Sequence, residues 1–184
     1  MNQKDLTVFN LGENLDNLMN LDPRGYGVCR ILYNASREYT KKPLTINSAE
    51  KLVDTLKEGD LVYIMTGFVL RPFKKAEMDG IVSTMLLARA LVKGFNVKPV
   101  IVCPEDNMKA VENLAYVVGL HFHDSIEGLS EYPLSLAAIP FTKEAKEASK
   151  QADELVSKGF PSAVISIECP GANSKGVYHN AVGL

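Results

Sequence analysis

Three short runs of the sequence, LVYIMT (61–66), VKPVIVC (97–103) and AVISIEC (163–169), are apolar at most positions, where a strand with one wet face would alternate. The first is bounded by Gly-Asp before it and Gly after it. That first run reads as a strand covered on both faces, of the kind found in parallel sheets flanked by helices, and the other two read as further strands. Between the runs the periodicity switches to that of helices. Positions 24–40 place Val28, Ile31, Leu32, Ala35 and Tyr39 at helical spacing ahead of a Lys-Lys-Pro stop, with Asp22 as a candidate cap. Asn47 and Ser48 are placed to cap a helix carrying Leu52, Val53 and Leu56, with Gly59 just past its end. A helix over 80–93 turns Met85, Leu86, Ala90 and Leu91 inward and stops at Gly94, and one over 105–119 has two acids in its first turn, where the macrodipole favours them. Thr142 is placed to cap a last helix to Lys158, its stripe mostly alanine plus Leu155 and Val156. Short segments at 121–126 and 134–140 complete the alternation. The expected fold is a three-layer α/β arrangement over 1–184, one domain, with a mostly parallel sheet and helices on both faces.

Composition narrows the function. A chain of 184 residues is long enough for a core without disulfides or structural metals. Twenty Lys and Arg against 22 Asp and Glu leave no positive excess, so neither nucleic acid nor a membrane surface is an expected partner. No apolar run approaches the roughly 20 residues that span a bilayer. The first ten residues, MNQKDLTVFN, carry no basic stretch followed by an apolar one. Cys29, Cys103 and Cys169 are widely spaced with no CxxC pair, which fits reduced thiols, and the expected location is cytoplasmic. Their spacing to His121, His123 and His179 matches no zinc cluster. Walker A, GxGxxG and GxSxG patterns are absent, which argues against a nucleotide cofactor and against an α/β-hydrolase.

In parallel sheets ligands bind beyond the carboxyl ends of the strands, so the segments after Thr66, Cys103 and Ile167 carry the chemistry. After the first strand, Gly67 permits close backbone approach. Glu77 and Asp79 lie just before the helix that begins near Gly80. Two carboxylates at this spacing either share a divalent cation, which wants hard oxygen ligands, or serve as a solvated loop residue and an N-cap. Glu168 stands where a strand delivers a side chain into the crevice, or is an exposed strand-end acid. Pro170 and Gly171 force a turn, and Asn173, Tyr178, His179 and Asn180 follow as a polar cluster or a solvated loop. Arg24, in LDPRGYG (21–27), either clamps a carboxylate bidentately or is solvated. Pro104-Glu105-Asp106 reads as a helix start, and His121 and His123 face one side of a strand with no third ligand nearby.

In order and rough spacing, DPRG, IMTGF followed by EMDG, and SIECPG with GVYHN resemble the D-glutamate cyclase family over about residues 20–184. The resemblance implies an α/β fold with an acidic pocket that holds a divalent metal, Mg or Mn, and cyclisation of D-glutamate to 5-oxo-D-proline with loss of water. Thr66, Gly67, Glu77, Asp79, Gly80, Glu168, Gly171, Tyr178 and Asn180 match the family pattern. Met78 stands where the family has threonine, Cys169 where it has arginine, and Lys175 where aspartate is common. Without that arginine a planar fork for a carboxylate is gone, leaving Arg24 or Arg71 as substitutes. Members of the family continue beyond the equivalent of Gly183 into a Gly-Asp-Gly-Gly-Asn-Glu segment, so 1–184 reads as the N-terminal part of a longer family domain.

With three acids expected at strand ends, Glu77, Asp79 and Glu168 are assigned as metal ligands and catalytic groups, with Tyr178 and His179 moving protons. Arg24, Thr66, Gly67, Gly80, Gly171, Asn173 and Asn180 bind a small-molecule substrate. Two rival readings are a non-catalytic or half-site subunit and a metal-dependent phosphate-ester hydrolase. The half-site subunit takes a missing C-terminal segment from a partner chain; otherwise a homo-oligomer is expected.

Overall fold

The computed structural model describes residues 2–70, 75–169 and 171–179. The chain forms two compact units, residues 1–55 and 56–184, and the α/β architecture belongs to the second.

The first unit is three helices: α1 (Gln3–Met19), α2 (Val28–Thr40) and α3 (Leu44–Thr55). Asn2 and Asp5 open α1 with a reciprocal capping box. The residues that α1 buries are Gly12 and Asp16 rather than large apolar ones. A Cβ on Gly12 would lie 2.3 Å from Ile46 Cγ1, so the bare backbone of α1 sits directly on α3. Asp16 accepts the amides of Leu44 (2.6 Å) and Thr45 (3.0 Å), the Thr45 hydroxyl (2.6 Å) and the Tyr33 hydroxyl (3.1 Å). It therefore caps α3 from a different helix. The expected local caps are corrected by this: Asn47 and Ser48 lie inside α3, which starts at Leu44. Asp22 holds the Gly25 and Gly27 amides in the turn before α2, whose N-cap is Gly27.

The second unit runs β1 (Leu61–Met65), β2 (Val69–Leu70), β3 (Lys75–Ala76), α4 (Met78–Phe95), β4 (Lys98–Cys103), α5 (Glu105–Val117), β5 (His121–His123), a 3-10 turn (Glu127–Ser130), β6 (Ser135–Pro140), α6 (Ala145–Lys158) and β7 (Ala163–Ser166). Five strands form one parallel sheet in the order β5-β6-β4-β1-β7, and β2 and β3 form a separate hairpin. The three apolar runs supply β4, β1 and β7. In register, Tyr63 sits beside Val100 and Val100 beside Ala137; these residues and Val102 face Leu129 and Leu155 of α6. The alternate set, Ile64, Ile101 and Ala138, is fully buried on the other face, where α4 and α5 lie. Helices on both faces of a parallel sheet make the three-layer α/β fold. Tyr63 also donates its hydroxyl toward the carbonyls of Leu155 and Gly159, which close the end of α6. Thr142 is not the N-cap of α6. Glu144 holds that position, and Thr142 receives the Glu144 amide one turn earlier. Of the two large residues expected on the buried stripe of α6, Leu155 is buried and Val156 exposed. Among the described residues no helix is long and apolar enough to cross a membrane.

From β1 the chain moves through α4 to β4 and onward to β6, all on one side of β1. Through α6 it then returns past β4 and β1 to place β7 on the other flank of β1. The strand order reverses between β1 and β7, and the carboxyl ends of these two strands frame the crevice that such reversals open.

Candidate functional site

The exits of β1 and β7 are tied together by backbone. The Ile167 amide donates to Met65 O (2.9 Å), and the Phe68 amide donates to Glu168 O (3.0 Å). The Glu77 amide then donates to Phe68 O (3.0 Å), which folds the β2–β3 hairpin back so that α4 starts over the end of β7. Glu77 is the N-cap residue of α4, and its side chain makes no capping hydrogen bond. Asp79 is therefore not the N-cap. It sits in the first turn with its Oδ1 accepting the Gly80 amide (3.0 Å).

Glu168 adopts a left-handed backbone, φ 49°, a region that costs a non-glycine residue on the order of 1 kcal/mol and recurs at functional sites. A Cβ on Gly80 would lie 2.9 Å from Glu168 Cβ and 3.2 Å from Thr66 Oγ1, so the first turn of α4 packs bare backbone against both residues. The outcome is convergence: carboxylate oxygens of Glu77, Asp79 and Glu168 lie within 4.8 Å of one another. Glu77 is half-buried and the other two are exposed. Among the described residues no Lys, Arg or His forms an ion pair with any of them. Three like charges this close repel, and the N-terminal dipole of α4 offsets only part of that. Oxygens bound to one divalent ion at roughly 2.0–2.6 Å are themselves up to about 5 Å apart, so the spacing and hardness of this donor set fit such an ion.

Thr66, the residue just beyond β1, is buried, donates its amide to Val102 O (3.1 Å) and leaves its hydroxyl without a partner. Gly67 has φ 131°, and a Cβ there would stand 2.3 Å from Pro104 Cδ, which leaves glycine as the residue that fits. The later segment is a small hairpin. Asn173 Oδ1 takes the amides of Lys175 (2.9 Å) and Val177 (3.1 Å), and Ala172 bridges Tyr178. Asn173 Nδ2 lies 3.3 Å from His179 Nε2. Gly171, Tyr178 and His179 are exposed. Asn180, Pro170 and Arg71 lie outside the described residues. Arg24 is exposed in the first unit, before α2, whereas the acids belong to the second unit.

The remaining candidates fall elsewhere. Pro104 is the N-cap of α5, as the helix-start reading has it. His123 contacts Ser135 Oγ (3.1 Å), and both β5 histidines lie against the ring of Tyr132. Burial, with Glu105 and Cys169 nearby, pushes the Cys103 thiol up to about 12, and burial raises Cys169 as well. Neither thiol is a ready nucleophile. A cleft of about 630 Å³ lined by Glu105, Phe141, Thr142 and Gln151 holds none of the three acids. One residue went unnoticed in the sequence: Asn107, in the first turn of α5, is fully buried with both carboxamide atoms unpartnered. Asparagine three residues past a proline looks like any helix start, so no sequence signal distinguishes it.

A family model described as D-glutamate cyclase-like, C-terminal, matches residues 15–184. The chain belongs to the D-glutamate cyclase-like, C-terminal family. The match takes in β1, the β2–β3 hairpin, α4 and β7, and so every residue of the acid cluster in this D-glutamate cyclase-like chain. No curated protein matches it.

Proposed function

We propose that this chain is a lyase of the D-glutamate cyclase type, converting D-glutamate to 5-oxo-D-proline and water, or a close variant acting on another small amino or carboxylic acid. The observation that carries the reading is the convergence of Glu77, Asp79 and Glu168, without basic partners among the described residues, at the β1–β7 reversal of a family member.

The reaction forms a bond from the amine nitrogen to the side-chain carboxyl carbon and breaks one carbon–oxygen bond, with the oxygen leaving as water. The amine must first lose its proton, and the carboxylate must become electrophilic. Glu77, Asp79 and Glu168 would hold a divalent ion, Mg or Mn, which when bound supplies Lewis-acid polarisation of that carboxylate. The Thr66 hydroxyl, buried and unpartnered beside Glu168, would hydrogen-bond a substrate oxygen. Amide groups in the first turn of α4 present positive dipole ends to the substrate's other carboxylate. His179 and Tyr178, on the exposed hairpin, are the proposed carriers of the two protons that the ammonium gives up and the leaving oxygen takes on.

Incubation of the purified chain with D-glutamate and Mg²⁺ or Mn²⁺ tests this by chromatography of the product. The reading expects 5-oxo-D-proline from the wild type and none from Glu168→Gln. Absence of product from wild type with either ion overturns it.

A further inference from the structure

Asn107 lies on the inward stripe of α5 with Val111 and Ala115, and all three are fully buried. Both carboxamide atoms, Oδ1 and Nδ2, have no hydrogen-bond partner. Buried amides are seldom left so, because an unmade hydrogen bond forfeits the one water would have given. What covers the carboxamide is Gly67: a Cβ there would stand 2.7 Å from Asn107 Nδ2. One peptide unit back, Thr66 carries an unpartnered buried hydroxyl beside Gly80 and Glu168. One turn along α4 from Gly80, Thr84 carries another, on the face that packs inward. Three unpartnered polar atoms, on Thr66 and Asn107, thus follow the carboxyl ends of β1 and β4, and Thr84 adds a fourth on the inward face of α4.

Asparagine presents a donor and an acceptor side by side. A carboxylate satisfies only the donor, and an ammonium only the acceptor. A cis amide satisfies both at once, because its N–H and C=O share an edge, and a five-membered lactam is a cis amide by ring closure. We propose that Asn107 is a specificity-determining residue that reads the lactam edge of the cyclised product. Nδ2 donates to the lactam oxygen, and Oδ1 accepts from the lactam N–H. This assignment rests on the lyase reading above. With Gly67 over it the carboxamide is closed to solvent, so the ligand engages it by lifting the Gly67 turn.

The test is calorimetric titration of the full chain with 5-oxo-D-proline and with D-proline, the same ring without the lactam oxygen. Wild type, Asn107→Leu and Asn107→Ala are compared, with ligand-free melting recorded for each. Wild type is expected to bind 5-oxo-D-proline about tenfold or more tighter than D-proline. Asn107→Leu keeps the branching of the side chain with no unpaired polar atoms, though its methyls are bulkier, and it is expected to lose the preference. Should that variant not fold, Asn107→Ala carries the test, since it removes both polar atoms without added bulk and is expected to lose the preference too. Absence of the preference in wild type, or its survival in the folded variants, overturns the proposal. D-Glutamate turnover measured on the same samples separates the two readings. Turnover by wild type without lactam preference removes the role of Asn107 alone, and absence of both removes the lyase reading as well.

Discussion

Glu168 shows how the site is built at the scale of single residues. Its left-handed backbone turns the side chain toward α4, and the turn is held because its carbonyl accepts the Phe68 amide while Gly80 leaves room for its Cβ. Gly80→Ala ordinarily favours a helix by about 1 kcal/mol. Here the new methyl would meet Glu168 Cβ at 2.9 Å, an atom fixed by its own backbone, and something must shift. The expected outcome is a net destabilisation of roughly 1–3 kcal/mol and weaker Mn²⁺ binding, read by urea denaturation and titration. Equal binding with raised stability would show that Gly80 is an ordinary helix residue. Much of this was legible in sequence, because Glu77, Asp79 and Glu168 sit at the ends of recognisable elements. The strain at Glu168 was not, since φ is decided by the Phe68 and Gly80 contacts. Asn107 was invisible for a related reason: whether a side chain is partnered is a property of the packed molecule.

Between elements, Asp16 does for α3 what a local cap ordinarily does. Burial pushes its carboxyl up, yet the hydrogen bonds from Thr45, Leu44 and Tyr33 prevail and hold it below the usual 3.8. A carboxyl lowered in the folded state contributes stability that is fully present above its unfolded value. That stability is lost as pH falls through the folded value. Urea midpoints followed by helix circular dichroism should therefore be steady from neutral pH down to about 5 and fall below about pH 4. Asp16→Ala should cost about 2–3 kcal/mol at pH 7 and flatten the acid loss. An unchanged pH profile in that variant would remove Asp16 as its source. The cap lies 28 residues from Leu44 in sequence, which is why local reading placed it at Asn47 and Ser48 instead. Helix α1 escaped notice for a similar reason. Its apolar residues Leu6, Leu11, Leu15 and Leu18 are exposed, and the helix is held by a glycine and an acid that carry no periodic signal. Strands β1 and β4 were plain in the sequence because burial on both faces writes the same message along most of their length, whereas β7, at the end of the strand order, leaves Val164 exposed.

At the scale of the molecule, sheet order makes the site. Strand β1 has neighbours on both flanks, and the chain reverses direction of travel between β1 and β7, so their ends and the start of α4 meet in one crevice. The order of strands leaves no trace in composition or periodicity. It is set by right-handed crossovers and by which faces need covering, and sequence reading reached only the class of fold and the expectation that strand ends matter. What topology brings together is three carboxylates with no basic partner among the described residues, and the direct test of that grouping is how many divalent ions the chain binds and through which residues. Calorimetric titration of Mn²⁺ into wild type, Glu77→Gln, Asp79→Asn and Glu168→Gln should give one ion per wild-type chain and at least about a tenfold loss of affinity in each variant. No binding by wild type, or undiminished one-to-one binding in any of the three variants, would contradict the shared site.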